Sequence, residues 1–592
     1  MKKIYYFLPM LVALFVASCS DWDDHFDESG IKTADMEIYD GDIVSYMKNT
    51  ADVSQMSALF EQNGIYDSTY TSKDYTFIVC SNEVLGATAG RTFAENSVSD
   101  EAVSPSSLTD GFGISTRSGK YIWVYGSGLQ ARLDVSSIVK AVKTDNGYVY
   151  YVDQPIPVRQ SVYEYLKDLG GDYADFKALV EKYEQRWFDR EHSSAIGVNN
   201  AGMTVYDSIW TTRSELMDRY TEAGIPSWNM RDENYVTTMF IPTNEQISTA
   251  INNALDSIPV WLNREATEAD REKFEQWIVK ACFVNRRLGD NEVERTGADF
   301  TCVGGYQQII NEQADETTYK EIDPAYWRPS VQTVNTSSRV DLSNGVAYYT
   351  TNLKIPNHIV IYRVKSRFYE LWNAMTTAQQ NQYFRWTNWE LPMIINDCQG
   401  EFTLSPSLPT MYYHELTAAP SAQAIADSLT CSVDYDGLVY DEDADAVHEV
   451  HLPAGEYYLR MGFKHSLKYS VSIYFNDSLL VKDMGLNGTG SNFHFDRGAA
   501  SEVPKYGLGG ISYPEGFDVD YWQALDPKAI AYDTDGYTVG IVRLTHSGNF
   551  HITVSSFDNA QNYPQGSMQR NKNNIQQLMM YHWCLRPTIN NY

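Results

Sequence analysis

The stretch Thr238–Ile247 reads T-M-F-I-P-T-N-E-Q-I. A short apolar run meets Pro242, and Thr243-Asn244-Glu245 then supplies the residue types that open helices. The pattern predicts a buried strand that delivers the chain into a helix start. An echo lies upstream, where Thr76–Leu85 reads T-F-I-V-C-S-N-E-V-L. Two copies of one strand-to-helix junction predict a duplicated unit.

The flanking landmarks recur in the same order. Glu164-Tyr165-Leu166-Lys167 answers Ser45-Tyr46-Met47-Lys48, and Phe176, Ala178, Leu179 and Glu181 answer Met56, Ala58, Leu59 and Glu61. Ile43, Val44, Tyr46 and Met47, then Met56, Leu59 and Phe60, fall at helical spacing. Val205-Tyr206-Asp207-Ser208 answers Ile65-Tyr66-Asp67-Ser68. Asn146-Gly147, a hairpin signal, precedes the strand-like Tyr148–Val152, and Asn344-Gly345 precedes Val346–Thr350. Ile156-Pro157 and Ile355-Pro356 close the copies. The second copy is longer, with insertions expected near Thr211–Glu233 and between Thr296 and Ser338. Arg91–Lys120, rich in Ser, Thr and Gly, reads as loop.

This order resembles the fasciclin-like domain over Tyr39–Tyr369, most closely in the second copy. The first copy has Cys80 and Ser81 where the second has Pro242 and Thr243. The resemblance implies two α+β units in tandem. Thr243 or Asn244 would cap the helix and Glu245 would sit at its positive end, a structural duty with no chemistry in it.

Leu371–Trp389 reads as a connecting helix. From about Leu391 the grammar is that of strands: L-P-A-G-E-Y-Y-L-R-M-G-F, alternation over Ser470–Val481 across an Asn476-Asp477 turn, then Tyr537–Leu544, Phe550-Ile552-Val554 and Met579–Leu585. Short strands at this spacing predict an all-β antiparallel sandwich. A-G-E-Y-Y-L-R followed by S-V-S-I-Y-F-N-D resembles the galactose-binding-like jelly roll of carbohydrate-binding modules. The expected order is 1–18 signal peptide, 19–38 acidic tether, 39–158 and 159–370 fasciclin-like units, 371–394 connector, and 395–592 sandwich.

Lys2 and Lys3 precede an apolar run from Tyr5 to Ala17 that ends at Val16-Ala17-Ser18-Cys19. This is the grammar of a secretory signal, too short to span a bilayer well. Small residues followed directly by Cys match a bacterial lipobox, which implies cleavage before Cys19 and its acylation. The acidic Ser20–Glu28 resembles the export signal of Bacteroidetes-type surface lipoproteins, implying an outer-membrane anchor facing the medium. A net charge of −31 argues against nucleic acid and anionic headgroups as direct partners. The remaining cysteines, Cys80, Cys282, Cys302, Cys398, Cys431 and Cys584, show no metal spacing. Outside the cytoplasm a Cys282–Cys302 or Cys398–Cys431 bridge and buried free thiols are equal alternatives.

No catalytic constellation emerges. There is no G-x-S-x-G elbow, no H-E-x-x-H and no phosphate loop. Asp434, Asp436, Asp441, Glu442, Asp443 and Asp445 form the densest acidic cluster. An oxygen-rich loop suits calcium, but the spacing matches no EF-hand and a solvated loop explains it, so no cofactor is expected. For sugar binding, flat aromatics beside planar polar groups are needed. Tyr521 and Trp522 with Asp518 and Asp520 answer that description best, while His582 and Trp583 read as half core. D-S-[T/I/L] recurs five times, as at Asp207-Ser208-Ile209, and resembles an O-glycosylation signal too short to carry weight. By resemblance, the expected function is a non-enzymatic accessory glycan-binding subunit beside a TonB-dependent transporter and its lid lipoprotein. The rival expectation is an adhesin or scaffold that binds protein partners.

Overall fold

The structure is a computed structural model that describes residues 36–66, 73–86, 90–198, 203–220, 226–295, 300–303, 306–311, 316–321, 325–403, 410–421, 423–424, 429–441, 444–463, 470–485, 537–556 and 578–592. It is a mixed α/β chain with several separate sheets.

The quoted stretch forms the strand Thr237–Ile241, every residue of it buried, and then the helix Asn244–Leu262. Its neighbours in the sheet run in the order Phe283–Val284, Thr237–Ile241, Gly345–Thr350, Val334–Leu342. Upstream the order Val98–Ser99, Tyr75–Val79, Gly147–Val152, Ser136–Thr144 is the same, and the sheet continues to Gly113–Ser115. In both copies the central pair is parallel: Tyr75 lies beside Gly147, and Thr237 beside Gly345.

The repeat extends to single hydrogen bonds. Thr76 Oγ1 donates to Glu101 O (2.7 Å) and accepts from Val103 N (2.8 Å). Thr238 Oγ1 does the same with Arg286 O (2.6 Å) and Leu288 N (2.9 Å). Tyr150 OH donates to Val103 O, and Tyr348 OH to Leu288 O. The hydroxyls of Tyr46 and Tyr151 meet at 2.8 Å, and those of Tyr165 and Tyr349 at 2.6 Å. Buried polar groups need partners, and the two copies share these bonds, with Tyr348 OH also reaching Asp290 Oδ1 (2.7 Å).

Four details differ from the sequence reading. Val205–Ser208 is not the counterpart of Ile65–Ser68, because it lies in a solvent-exposed hairpin, Gln185–Val198 with Thr204–Arg213, whereas Ile65 is buried directly after its helix. The first insertion therefore begins near Gln185. Arg91–Lys120 holds the helix Arg91–Asn96, with Phe93 and Ala94 buried, and short strands. Leu371–Trp389 holds the end of the helix Phe368–Ala374, the helix Thr377–Tyr383 and the strand Phe384–Thr387. Cys80, Cys282, Cys302 and Cys431 are buried and in no disulfide, so neither candidate bridge forms. Burial pushes the Cys80 and Cys431 thiols up to about 11, where they stay protonated and inert.

Two antiparallel sheets follow. One joins Val364–Arg367, Trp389–Thr403, Thr410–Pro420, Gly455–Phe463, Tyr537–Leu544 and Leu578–Pro587; the other joins Phe384–Thr387, Cys431–Asp436, Ser470–Phe475, Ser478–Gly485 and His551–Ser556. Tyr435 OH reaches Met461 Sδ at 3.9 Å, and Phe550 meets Trp583 edge-on at 5.2 Å, so the sheets share an interior. The turn between Phe475 and Ser478 has Asn476 at φ 46° and Asp477 at φ 63°, the primed geometry that hairpins favour.

The apolar interior has two clusters. One holds residues from Ile43 to Ile156. The other runs unbroken from Val162 through the second copy and both later sheets to Leu585. The first copy docks on the second mainly through polar and cation–π contacts: Trp123 Nε1 donates to Ser343 O (2.8 Å), Arg159 bonds Asp134, and the Arg287 guanidinium lies 4.7 Å from the Trp123 ring.

Candidate functional site

Where helices of the second copy meet the strand Val364–Arg367 and the two-stranded hairpin of Leu438–Asp441 and Ala446–Glu449, a cleft of about 480 Å³ opens. That is within the range of about 300–1,000 Å³ typical of small-molecule sites. Its first wall is the end of the helix Asn244–Leu262. Thr243 starts this helix with a reciprocal cap: its Oγ1 accepts from Gln246 N and its N–H donates to Gln246 Oε1, both at 3.1 Å. Pro259 lies in the last turn, and Asn263 at φ 50° ends the helix in the left-handed conformation. Val260, Trp261 and Leu262 thus line the cleft, with Val260 54% exposed.

The next helix, Glu268–Ala281, is capped by Thr267. Its Asp270 carboxylate accepts from Thr267 N and Oγ1 and from both Arg264 terminal nitrogens, at 2.7–2.9 Å. The Arg264 guanidinium holds that carboxyl well below its usual range and is itself fixed on the cleft wall. Lys273, one turn along, also lines the cleft, and burial pulls its ammonium down.

The opposite wall comes from Val360–Lys365 and the hairpin Leu438–Asp441 with Ala446–Glu449. Tyr362 is 58% exposed. Arg363 and Arg586 approach its ring at 5.6 and 4.8 Å. Tyr440 donates to Asp445 Oδ1 at 2.9 Å. Asn263 Nδ2 donates to Asp441 Oδ2 at 3.2 Å and ties the two walls together. Three aromatic rings, an amide, two carboxylates and several cations therefore converge on one space. Such a set stacks on apolar ring faces and bonds hydroxyls; it is suited to binding.

Cys19, Asp518, Asp520, Tyr521 and Trp522 lie outside the described residues. His582 and Trp583 are fully buried, which makes them core. Of the acidic cluster, Glu442 and Asp443 lie outside the described residues, and the others are engaged with protein groups: Asp434 and Asp436 bind Arg385, Asp441 binds Asn263 and Asp445 binds Tyr440. Among the described residues no group of three His, Cys, Asp or Glu side chains could hold a metal, and no helix is long and apolar enough to cross a membrane. The cleft residues escaped sequence reasoning because they come from four separated segments. The one local signal was I-P-V-W-L-N at Ile258–Asn263, an aromatic beside a helix-ending Asn.

No protein-family model and no curated protein matches the chain. Among solved structures it is similar to a FAS1 domain pair from the insect cell adhesion molecule fasciclin I. The identity is 11% and the TM-score 0.19, over 52% of this chain and 99% of that one. At that TM-score the likeness is loose, and the repeat described above stands on the chain's own hydrogen bonds.

Proposed function

We propose that the chain is an outer-membrane surface lipoprotein, anchored through Cys19, that binds glycan in the cleft between its second α/β unit and its C-terminal sheets. In this reading the repeats are two fasciclin-like units and the sheets form a jelly roll of the carbohydrate-binding-module kind. The protein would serve as an accessory subunit of a polysaccharide-utilisation system, beside a TonB-dependent transporter and its lid lipoprotein. The observation that carries the binding reading is the convergence of Trp261, Tyr362 and Tyr440 with Asn263, Arg264, Asp441 and Glu449 on one cleft. The anchor rests on Lys2, Lys3 and the run into Ser18-Cys19.

Affinity electrophoresis of the mature chain against a polysaccharide panel tests the binding. Retardation by at least one glycan that is lost in Trp261→Ala and Tyr362→Ala is expected; no retardation anywhere defeats the reading. Protease shaving of intact cells tests surface display, and full protection of the chain would sink it.

One observation favours the second reading, a scaffold or adhesin. The hairpin Gln185–Arg213 exposes Trp187, Ile196, Val198, Ile209 and Trp210. Clustered exposed apolar groups mark contact surfaces. Co-purification of a protein partner through this hairpin, without glycan binding, would put that reading first.

A further inference from the structure

We infer that the cleft selects acidic oligosaccharides, its cationic side chains receiving uronate carboxylates; this deepens the glycan reading and rests on it. The lining carries Arg264, Lys273, Arg363 and Lys365 against Asp441 and Glu449. Across the chain the balance is reversed, with 46 Lys and Arg against 77 Asp and Glu. A local excess of cations in so acidic a protein is a feature of this place, not of the composition.

The positions of these cations suit a carboxylate ligand. Arg363 and Lys365 both line the cleft, on either side of Val364, the first residue of the strand Val364–Arg367. Arg264 is held by Asp270 in a two-pronged pair, which offsets much of its charge and fixes its position on the cleft wall. Lys273 faces that pair, with Asp270 attracting its ammonium and Arg264 opposing it, while burial makes the charge costly. A carboxylate arriving beside Lys273 would relieve that cost, which a neutral hydroxyl does only weakly. The lining cations outnumber the two lining carboxylates, of which Asp441 is held in place by Asn263 Nδ2 and Ala444 N. The rings of Trp261, Tyr362 and Tyr440 leave the apolar sugar faces a place to stack, so charge and ring recognition act on one ligand.

The test is titration calorimetry of the full mature chain with short galacturonate, glucuronate and mannuronate oligomers. The matching neutral hexose oligomers are run beside them, at low and at physiological salt. At least one uronate series should bind roughly tenfold tighter than its neutral match, a difference of about 1.4 kcal/mol, and the gap should narrow with salt. Lys365→Gln and Lys273→Gln should each remove most of that gap by weakening uronate binding more than neutral binding, while Lys273→Arg should keep it. Should Lys273→Gln lower the melting temperature, Lys365→Gln decides. Equal affinity for acidic and neutral oligomers overturns the inference and leaves the glycan reading standing. Binding of neither overturns both.

Discussion

Asn344 and Asn146 show how much one side chain can organise. Asn344 Oδ1 accepts from Val162 N (2.8 Å), its Nδ2 donates to Tyr235 O (3.1 Å), and its carbonyl accepts from Thr237 N (2.9 Å). Asn146 makes the same three bonds with Ile43 N, Lys73 O and Tyr75 N. Each asparagine joins a helix start, a strand entry and its own turn. The sequence pattern identified the turns correctly, but not this bracing, because Val162 lies 182 residues from its partner. Truncating a fully buried Asn leaves donors and acceptors unsatisfied, so Asn344→Ala should cost roughly 2 kcal/mol, read from urea unfolding. The adjoining glycine is stricter. A Cβ on Gly345 would lie 1.8 Å from Thr237 O, as one on Gly147 would from Tyr75 O. Gly345→Ala should therefore destabilise by about 3 kcal/mol or more, or prevent folding; a melting temperature unchanged from the parent would refute this. Asp270 offers a test in pH. Its folded-state pKa is depressed, first by the Arg264 hydrogen bonds. Its stabilisation is therefore present above the unfolded value of about 3.9 and lost as pH falls through the folded one. Asp270→Asn should melt lower than the parent at pH 7, and the difference should shrink as the pH is taken toward 2.

At the scale of elements, the two junction helices are not equal partners. Thr243 and Gln246 make a capping box and the helix runs on to Leu262. Ser81 makes no side-chain cap bond, Val84 occupies the place of Gln246, and that helix stops at Leu85. What the junctions share is the asparagine between: Asn82 accepts from Gln55 N and Asn244 from Asp175 N, both at 2.9 Å. The T-N-E pattern was thus legible as a helix start, and of the two cap candidates, Thr243 and Asn244, the cap is Thr243. The duty of the Asn was hidden because it binds a preceding helix, not its own. Gln246→Ala should cost about 1 kcal/mol, measurable by chemical denaturation, since it removes the box and the bond from Gln246 Nε2 to Thr350 O. The inserted hairpin behaves oppositely. Among the described residues, no side chain between Gln185 and Arg213 belongs to the apolar interior. Replacing 185–213 by a short Gly-Ser link should leave the melting temperature within a few degrees of the parent. A large fall would mean that the hairpin supports the fold.

For the whole molecule, alternation in the sequence revealed the later strands from Gly455–Phe463 onward but not Trp389–Thr403, Thr410–Pro420 or Cys431–Asp436, and it could not reveal what they pack against. Strand periodicity reports which residues face inward, and it is silent on which element fills the inside. The expected cut after residue 370 falls within the larger apolar cluster. Val364–Arg367, upstream of that cut, pairs with Leu578–Pro587 near the other end. Asn357 Nδ2 donates to Asn591 Oδ1 at 2.9 Å, and Tyr592 OH donates to Tyr326 O at 2.7 Å. The C-terminus is therefore part of the second α/β unit's own support. A chain ending at residue 370 would bare the apolar flank of Ile361, Val364 and Phe368, all buried in the intact protein. The first copy differs, since its interior from Ile43 to Ile156 is closed and its docking is largely polar. Cooperative units follow contiguous apolar cores. A fragment of residues 36–158 should fold alone, and the chain ending at 370 should show only that unit's transition by calorimetry. The full mature chain should show two, and Trp123→Ala, which removes the bond to Ser343 O and the ring beneath Arg287, should lower the transition of the first unit. A single transition that moves as one in Trp123→Ala would mean the copies are coupled through more than these contacts.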